Sequence, residues 1–177
     1  MKRVLGSVLV SSEQIRQRTI ELGRQISQDY IGRDLAIVAI LKGSFIFLAD
    51  LIRQVHHEIP IEVDFLSVSS YGNDTRSSGT LRVDRDVEFT VAGRDVIIVE
   101  DIVDSGLTLN HVYRLFTQRG AQSIRVATLL EKPGNSKYER KLDYVGFQIP
   151  NDFVVGYGLD YAQRYRNLPD IRVLDEI

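Results

Sequence analysis

The chain contains no cysteine, which removes disulfides, thiolate nucleophiles and thiolate metal ligands together and excludes a secreted disulfide-stapled scaffold. It also lacks an excess of either charge. Its 22 basic and 24 acidic side chains leave a net charge of −2, no footprint for nucleic acid or for an acidic membrane surface. No apolar segment approaches membrane-spanning length, and the residues from Met1 to Gly6 lack the apolar run of a signal peptide, so a cytoplasmic location is expected. There is no Gly-Lys dipeptide and hence no P-loop. Gly156 and Gly158 begin like a dinucleotide fingerprint, but Tyr161 stands where the third glycine belongs. His56, His57 and His111 lack zinc-ligand spacing, and neither internal repeats nor low-complexity tracts occur. What remains is an ordinary globular composition, 44% hydrophobic over 177 residues, which reads as one domain spanning 1–177 with a substantial core.

The most informative stretch runs from Val96 to Leu109. Val96, Ile97, Ile98 and Val99 are β-favouring and show no alternation, as in a parallel strand buried on both faces. Glu100 and Asp101 follow abruptly, where such a strand is expected to end. In open α/β sheets ligands sit outside the carboxyl ends of the strands, so acids emerging there face a site. Asp104, Ser105, Gly106, Leu107 and Thr108 come next, and an amphipathic run from Leu109 to Arg119 reads as a helix. Hydroxyls, backbone N–H groups and a helix N-terminus converge at such a turn, which makes it an anion cradle suited to phosphate; Gly106 lets the backbone approach the anion. Carboxylates want other partners, namely hydroxyl groups and Mg²⁺. A ligand carrying a sugar diol and a phosphate a few ångströms apart satisfies both halves. Singly, each acid is an ordinary strand-end polar residue and Asp104 an ordinary N-cap; the string in order is far less common.

The rest of the chain reads as alternating strands and helices. Val4 to Val10 suggests a short edge strand. Ser11 and Gln14 have capping-box spacing before a helix with Ile15, Thr19, Leu22, Ile26 and Tyr30 on its buried face. Leu35 to Leu41 is a second apolar strand, followed by Lys42 and Gly43 and then a helix burying Phe45, Leu48, Ile52 and Val55. Ile61 to Val68 is a strand. Residues 69–79 are small and polar and read as a mobile loop, a lid between two strand-like runs. Ser123 to Leu130 is a strand that leaves Lys132 at its end, broken by Pro133 and Gly134. Residues 135–141 are polar and read as exposed, with no role. Beyond Tyr144, two short strands flank a turn from Ile149 to Asp152.

Taken together, the four hydrophobics, the two acids and the Asp-Ser-Gly-x-Thr string resemble the phosphoribosyl-pyrophosphate signature of the type I phosphoribosyltransferases. From Leu5 to Val173 the chain resembles their hypoxanthine-guanine branch. The resemblance implies an α/β class, the type I phosphoribosyltransferase fold: a parallel sheet flanked by helices, with a small hood made partly from the C-terminal strands. It implies a Mg²⁺-dependent transfer of a 5-phosphoribosyl group from phosphoribosyl pyrophosphate to N9 of hypoxanthine or guanine. It also implies residue roles. Asp104 is the general acid/base beside the purine N7. Glu100 and Asp101 orient the ribose hydroxyls and stand near the metal, and Ser105, Gly106, Leu107 and Thr108 hold the 5-phosphate. Lys42 and Gly43 form a pyrophosphate loop, often with a cis peptide, joined by Arg166. Ser70 and Tyr71 belong to the closing lid. Lys132 contacts the purine 6-oxo group, Phe153 stacks on the base, Val154 offers backbone groups to its edge, and Asp160 is a Mg²⁺ ligand. The expected partners are the purine base and phosphoribosyl pyrophosphate, with no nucleic acid and no membrane, in a homodimer or homotetramer. Two alternatives stay open: a xanthine-preferring enzyme, and an RNA-binding regulator on the same fold. The regulator needs a basic face that the charge balance does not supply.

Overall fold

A computed structural model of the chain describes residues 3–70 and 81–176. Its elements, in order, are β1 (Arg3–Val10), α1 (Ser12–Tyr30), β2 (Leu35–Ile40), α2 (Phe45–Ile52), β3 (Ile61–Ser70), β4 (Leu81–Arg85), β5 (Asp95–Val103), α3 (Leu107–Gln118), β6 (Ser123–Glu131), β7 (Tyr144–Gln148), β8 (Val154–Val155) and β9 (Ile171–Glu176). The main sheet has six strands in the order β4-β3-β2-β5-β6-β7. Five of them are mutually parallel, and β4 pairs antiparallel with β3 at one edge. A second sheet, β1-β9-β8, is antiparallel and forms the hood.

The central strands are apolar without alternation because both faces of the sheet are covered. Leu35, Ile37 and Ala39 of β2 point into one cluster with Ile15, Leu22 and Ile26 of α1 and Phe47 and Leu51 of α2. Ala36, Val38 and Ile40 point the other way, against Leu109, Val112 and Phe116 of α3. The capping box at the start of α1 is present: Gln14 N–H donates to the Ser11 hydroxyl and the Ser11 N–H to the Gln14 side chain.

Three boundaries differ from the sequence reading: the end of β5, the start of α3 and the end of β3. β5 does not stop at Val99 but continues through Glu100 and Asp101 to Val103. Its pairing with β2 ends at Val99, while pairing with β6 persists to Val103 and Glu131. The acids therefore ride on a strand that outlasts one neighbour, which brings them to the sheet's edge without a break in the backbone. Likewise α3 begins at Leu107, so Leu107 and Thr108 form its first turn rather than a preceding loop. Ser70 closes β3, opposite Leu81 of β4, instead of opening a loop. Tyr71, and with it most of the expected lid, lies outside the described residues.

Candidate active site

In the main sheet the strands succeed one another outward in two directions from β2 and β5, so the topological switch point lies between them, and the carboxyl ends there are where an α/β sheet offers a crevice. The end of β2 passes into a turn whose Leu41–Lys42 peptide is cis, as the resemblance implied for this place. Gly43 follows, seated against β5. A Cβ built on it would stand 1.6 Å from Asp101 Oδ2, so only glycine fits. The hood presses from the other side, where a Cβ on Gly158 would stand 2.2 Å from the Gly43 carbonyl oxygen. Arg166 ties this corner together. It donates to the Gly158 carbonyl oxygen at 2.7 Å and pairs with Asp160 Oδ1 at 2.6 Å, while Asp160 Oδ2 accepts from the Gln163 N–H at 2.8 Å. Lys42 is exposed beside Arg166, both lining one hollow with Leu41, Phe45 and Phe65.

The two acids of β5 stand in an unfavourable place for charge. Burial, reinforced by the neighbouring Asp101, holds the Glu100 carboxyl well above the usual carboxylate range. Its Oε2 is buried with no hydrogen-bond partner among the described residues. Burial likewise pushes Asp101 up to about 6; nearby backbone N–H groups and Arg166 favour its charged form, and Asp160 opposes it. A buried carboxylate oxygen without a donor is built to receive one from a ligand, a hydroxyl or a metal-bound oxygen.

Past the acids, Glu100, Asp104, Ser105, Gly106 and Thr108 line a hollow of about 160 Å³ at the N-terminus of α3. The N–H groups of the first turn have no intrahelical acceptor, and the helix dipole adds positive potential there. The N-cap is Gly106, at φ +72° and with no side-chain cap, so Asp104 is not a capping residue. The glycine is required on a second ground, independent of any anion. Its missing Cβ would meet the Tyr138 Cβ at 2.8 Å and the Tyr138 nitrogen at 2.9 Å, on the segment after β6. That segment is docked rather than merely exposed. Lys137 N–H donates to the Ser105 carbonyl oxygen at 2.9 Å, and Asn110 Nδ2 to the Lys137 carbonyl oxygen at 3.0 Å.

Adjoining the cradle is a cleft of about 210 Å³ whose walls include Asp101, Asp104, Lys132, Phe153, Val154 and Asp160. Lys132 is not a surface lysine. It is 7% exposed, its N–H donates to the Val103 carbonyl oxygen at 2.9 Å, and its Nζ stands 3.4 Å from Asp104 Oδ2. Phe153 is 45% exposed and meets Tyr161 edge-on, with ring centroids 5.9 Å apart. Val154 is buried in β8, which among the described strands pairs with β9 alone, and it lines the cleft. So the structure brings together Glu100, Asp101, Asp104–Thr108, Lys132, Phe153, Val154 and Asp160, with Lys42, Gly43 and Arg166 at the adjoining corner. Ser70 sits at a strand end and Tyr71 outside the described residues. Sequence reasoning missed Asn135, Asn151 and Tyr161. Asn135 Nδ2 donates to Asp104 Oδ1 at 3.0 Å and to Asn151 Oδ1 at 2.5 Å. Neither asparagine stands in a motif, so no local pattern marked them.

Comparisons with known proteins identify the family. Residues 9–162 match the family model described as a phosphoribosyl transferase domain. The chain is 49% identical over 174 residues to the hypoxanthine-guanine phosphoribosyltransferase of Bacillus subtilis strain 168, covering 98% of this chain and 96% of that protein. It is 50% identical over 177 residues to the enzyme of the same name from Mycobacterium tuberculosis strain H37Rv, covering 97% and 87%. A crystal structure of a hypoxanthine-guanine phosphoribosyltransferase from Bacillus anthracis superposes with a TM-score of 0.90 at 39% identity, over 99% of this chain and 100% of that one. With a family model over most of its length and near full-length relatives of this identity, the chain belongs to the phosphoribosyltransferase family, among the hypoxanthine-guanine phosphoribosyltransferases.

Proposed function

We propose that the protein acts in purine salvage, as one domain over 1–177, transferring the 5-phosphoribosyl group of phosphoribosyl pyrophosphate to N9 of hypoxanthine or guanine and releasing pyrophosphate. The observation that carries this reading is the buried ammonium of Lys132, facing a base-sized cleft that opens beside an anion cradle.

The phosphate of the donor enters the first turn of α3, where Ser105, Gly106, Leu107 and Thr108 offer N–H groups and hydroxyls. Glu100 and Asp101 accept hydrogen bonds from the ribose hydroxyls, which supplies the partner that Glu100 Oε2 lacks. The purine lies against Phe153, its 6-oxo oxygen toward Lys132 Nζ and its edge along the Val154 backbone. Asp104 then exchanges a proton with purine N7 as N9 bonds to the anomeric carbon and the bond to pyrophosphate breaks. That transition state is oxocarbenium-like, so the site works by stabilising charge rather than by supplying a strong nucleophile. Lys42, Gly43 and Arg166 receive the departing pyrophosphate.

The donor set fits Mg²⁺ that brings most of its own oxygen ligands. Asp160 stands at the cleft mouth, coupled electrostatically to Asp101, and no cluster of three or more acidic or histidine ligands occurs among the described residues. When bound, Mg²⁺ neutralises the pyrophosphate as its charge develops. The expected partners are the two small-molecule substrates and the expected location is the cytoplasm; the near-neutral net charge of −2 gives no footprint for nucleic acid. A homodimer or homotetramer is the expected assembly. Mixing purified protein with phosphoribosyl pyrophosphate, hypoxanthine and Mg²⁺ should yield IMP and pyrophosphate in equal amounts, and EDTA should stop the reaction. No product from either oxopurine, or full activity after chelation, would contradict this assignment.

A further inference from the structure

Asn135 lies in the segment after β6, which the sequence alone marks as exposed and idle. Its side chain nonetheless spans two parts of the site. The amide nitrogen carries two hydrogens and has two oxygen acceptors, Asp104 Oδ1 at 3.0 Å and Asn151 Oδ1 at 2.5 Å, so both bonds form at once and the amide has one orientation that satisfies them. Asp104 needs such a partner. Its side chain is 49% exposed, it stands between a strand and a helix, and it takes no part in capping α3. Lys132 Nζ reaches only its other oxygen, at 3.4 Å. Asn135 is itself held close to the cradle, since Lys137 bonds to Ser105 two residues further on and Tyr138 packs on Gly106. Asn151, at the other end, belongs to the turn that leads into Phe153.

We propose that Asn135 is a positioning residue: its amide aims the Asp104 carboxylate into the cleft and, through Asn151, sets that carboxylate in register with the turn carrying the stacking ring. The proposal rests on Asp104 being the general acid/base. Asn135 touches no reacting atom. As a neutral donor it restricts the carboxylate's orientation, whereas a cation in its place would also stabilise the charged form and weaken it as a base.

The test is steady-state kinetics with phosphoribosyl pyrophosphate and hypoxanthine on the unmutated enzyme, Asn135→Ala, Asn135→Asp, Asp104→Asn and the double variant Asp104→Asn/Asn135→Ala. Loss of aim should lower kcat of Asn135→Ala about 10-fold, with KM for phosphoribosyl pyrophosphate unchanged. Asn135→Asp keeps the shape but turns an acceptor toward a carboxylate, so it should fall below the alanine variant; being isosteric, it also reports if alanine disturbs the loop. In the Asp104→Asn background, Asn135→Ala should cost nothing further, because it acts through the missing carboxylate. Normal kcat in Asn135→Ala, an aspartate variant at least as active as alanine, or equal fractional losses in both backgrounds would each overturn the proposal while leaving Asp104 in its role. Normal turnover of Asp104→Asn would remove that role, and the proposal with it.

Discussion

Replacing Asp104 by Asn keeps the side chain's shape and its oxygen toward Asn135 but removes proton exchange. The variant should lose ~10²–10⁴ in kcat, the usual worth of a general acid/base, with binding of phosphoribosyl pyrophosphate little changed. Isothermal titration beside single-turnover rates separates the two effects, and near-normal turnover would free Asp104 of the role. Asp101 carries a pH-dependent expectation. Its carboxyl titrates near 3.9 in an unfolded chain and at about 6 in the folded protein. Between those values the folded state binds the extra proton, so stability falls as pH rises through the window and the cost is fully present above it. In the absence of substrates, Tm of the unmutated protein should therefore fall more steeply between about pH 4 and 6 than Tm of Asp101→Asn. Parallel slopes would mean that Asp101 is solvated and unperturbed. Residue type made the acids legible in the sequence; burial did not. Lys132 looked like a surface lysine locally, because the residues that share its cleft, Asp101 and Asp104 on one side and Phe153, Val154 and Asp160 on the other, are distant in sequence. Asn135 was illegible for the same reason: its partners are 31 and 16 residues away.

At the level of elements, the cradle and the pyrophosphate turn make separable predictions. Thr108→Ala removes one hydroxyl from the first turn of α3 and should raise KM for phosphoribosyl pyrophosphate more than KM for the base. Equal effects on both would show that the turn is structural. Gly106→Val acts differently from a direct intrusion on the anion, since the new side chain meets Tyr138 and a left-handed backbone; it should lower Tm as well as donor binding. Gly43→Ala drives a methyl into Asp101 and should raise KM for the donor ~10-fold or more. A Gly43→Ala enzyme with normal donor KM would detach this turn from the pyrophosphate. The apolar strands and α1, with its capping box, were legible because their residues repeat at the period of the element. The ends of β5 and α3 were not, since Glu100, Asp101, Leu107 and Thr108 carry no periodic signal. Register with β6 decided the end of β5, and the left-handed Gly106 the start of α3.

Across the whole molecule, the six-stranded sheet supplies the cradle and the acids, and the three-stranded hood supplies Val154 beside Phe153, with the lysine between them. The alternating strands and helices announced the sheet; the hood, built from the two chain ends, was visible only through resemblance, because β1 and β9 are 160 residues apart and short. This division of labour leads to one decision about the base. An ammonium has donors and no acceptor, so Lys132 suits the carbonyl oxygen at position 6 of hypoxanthine and guanine and opposes the amino group that adenine presents there. Sites built around such a buried partner reject an analogue lacking the matching group by ~10⁴–10⁵. The decisive measurement is kcat/KM for hypoxanthine, guanine, xanthine and adenine at saturating phosphoribosyl pyrophosphate and Mg²⁺, on the unmutated enzyme and on Lys132→Ala. Hypoxanthine or guanine should lead, adenine should trail by that factor, and Lys132→Ala should lose activity on hypoxanthine without raising adenine to match it. Comparable rates on adenine and hypoxanthine in the unmutated enzyme would contradict the oxopurine assignment.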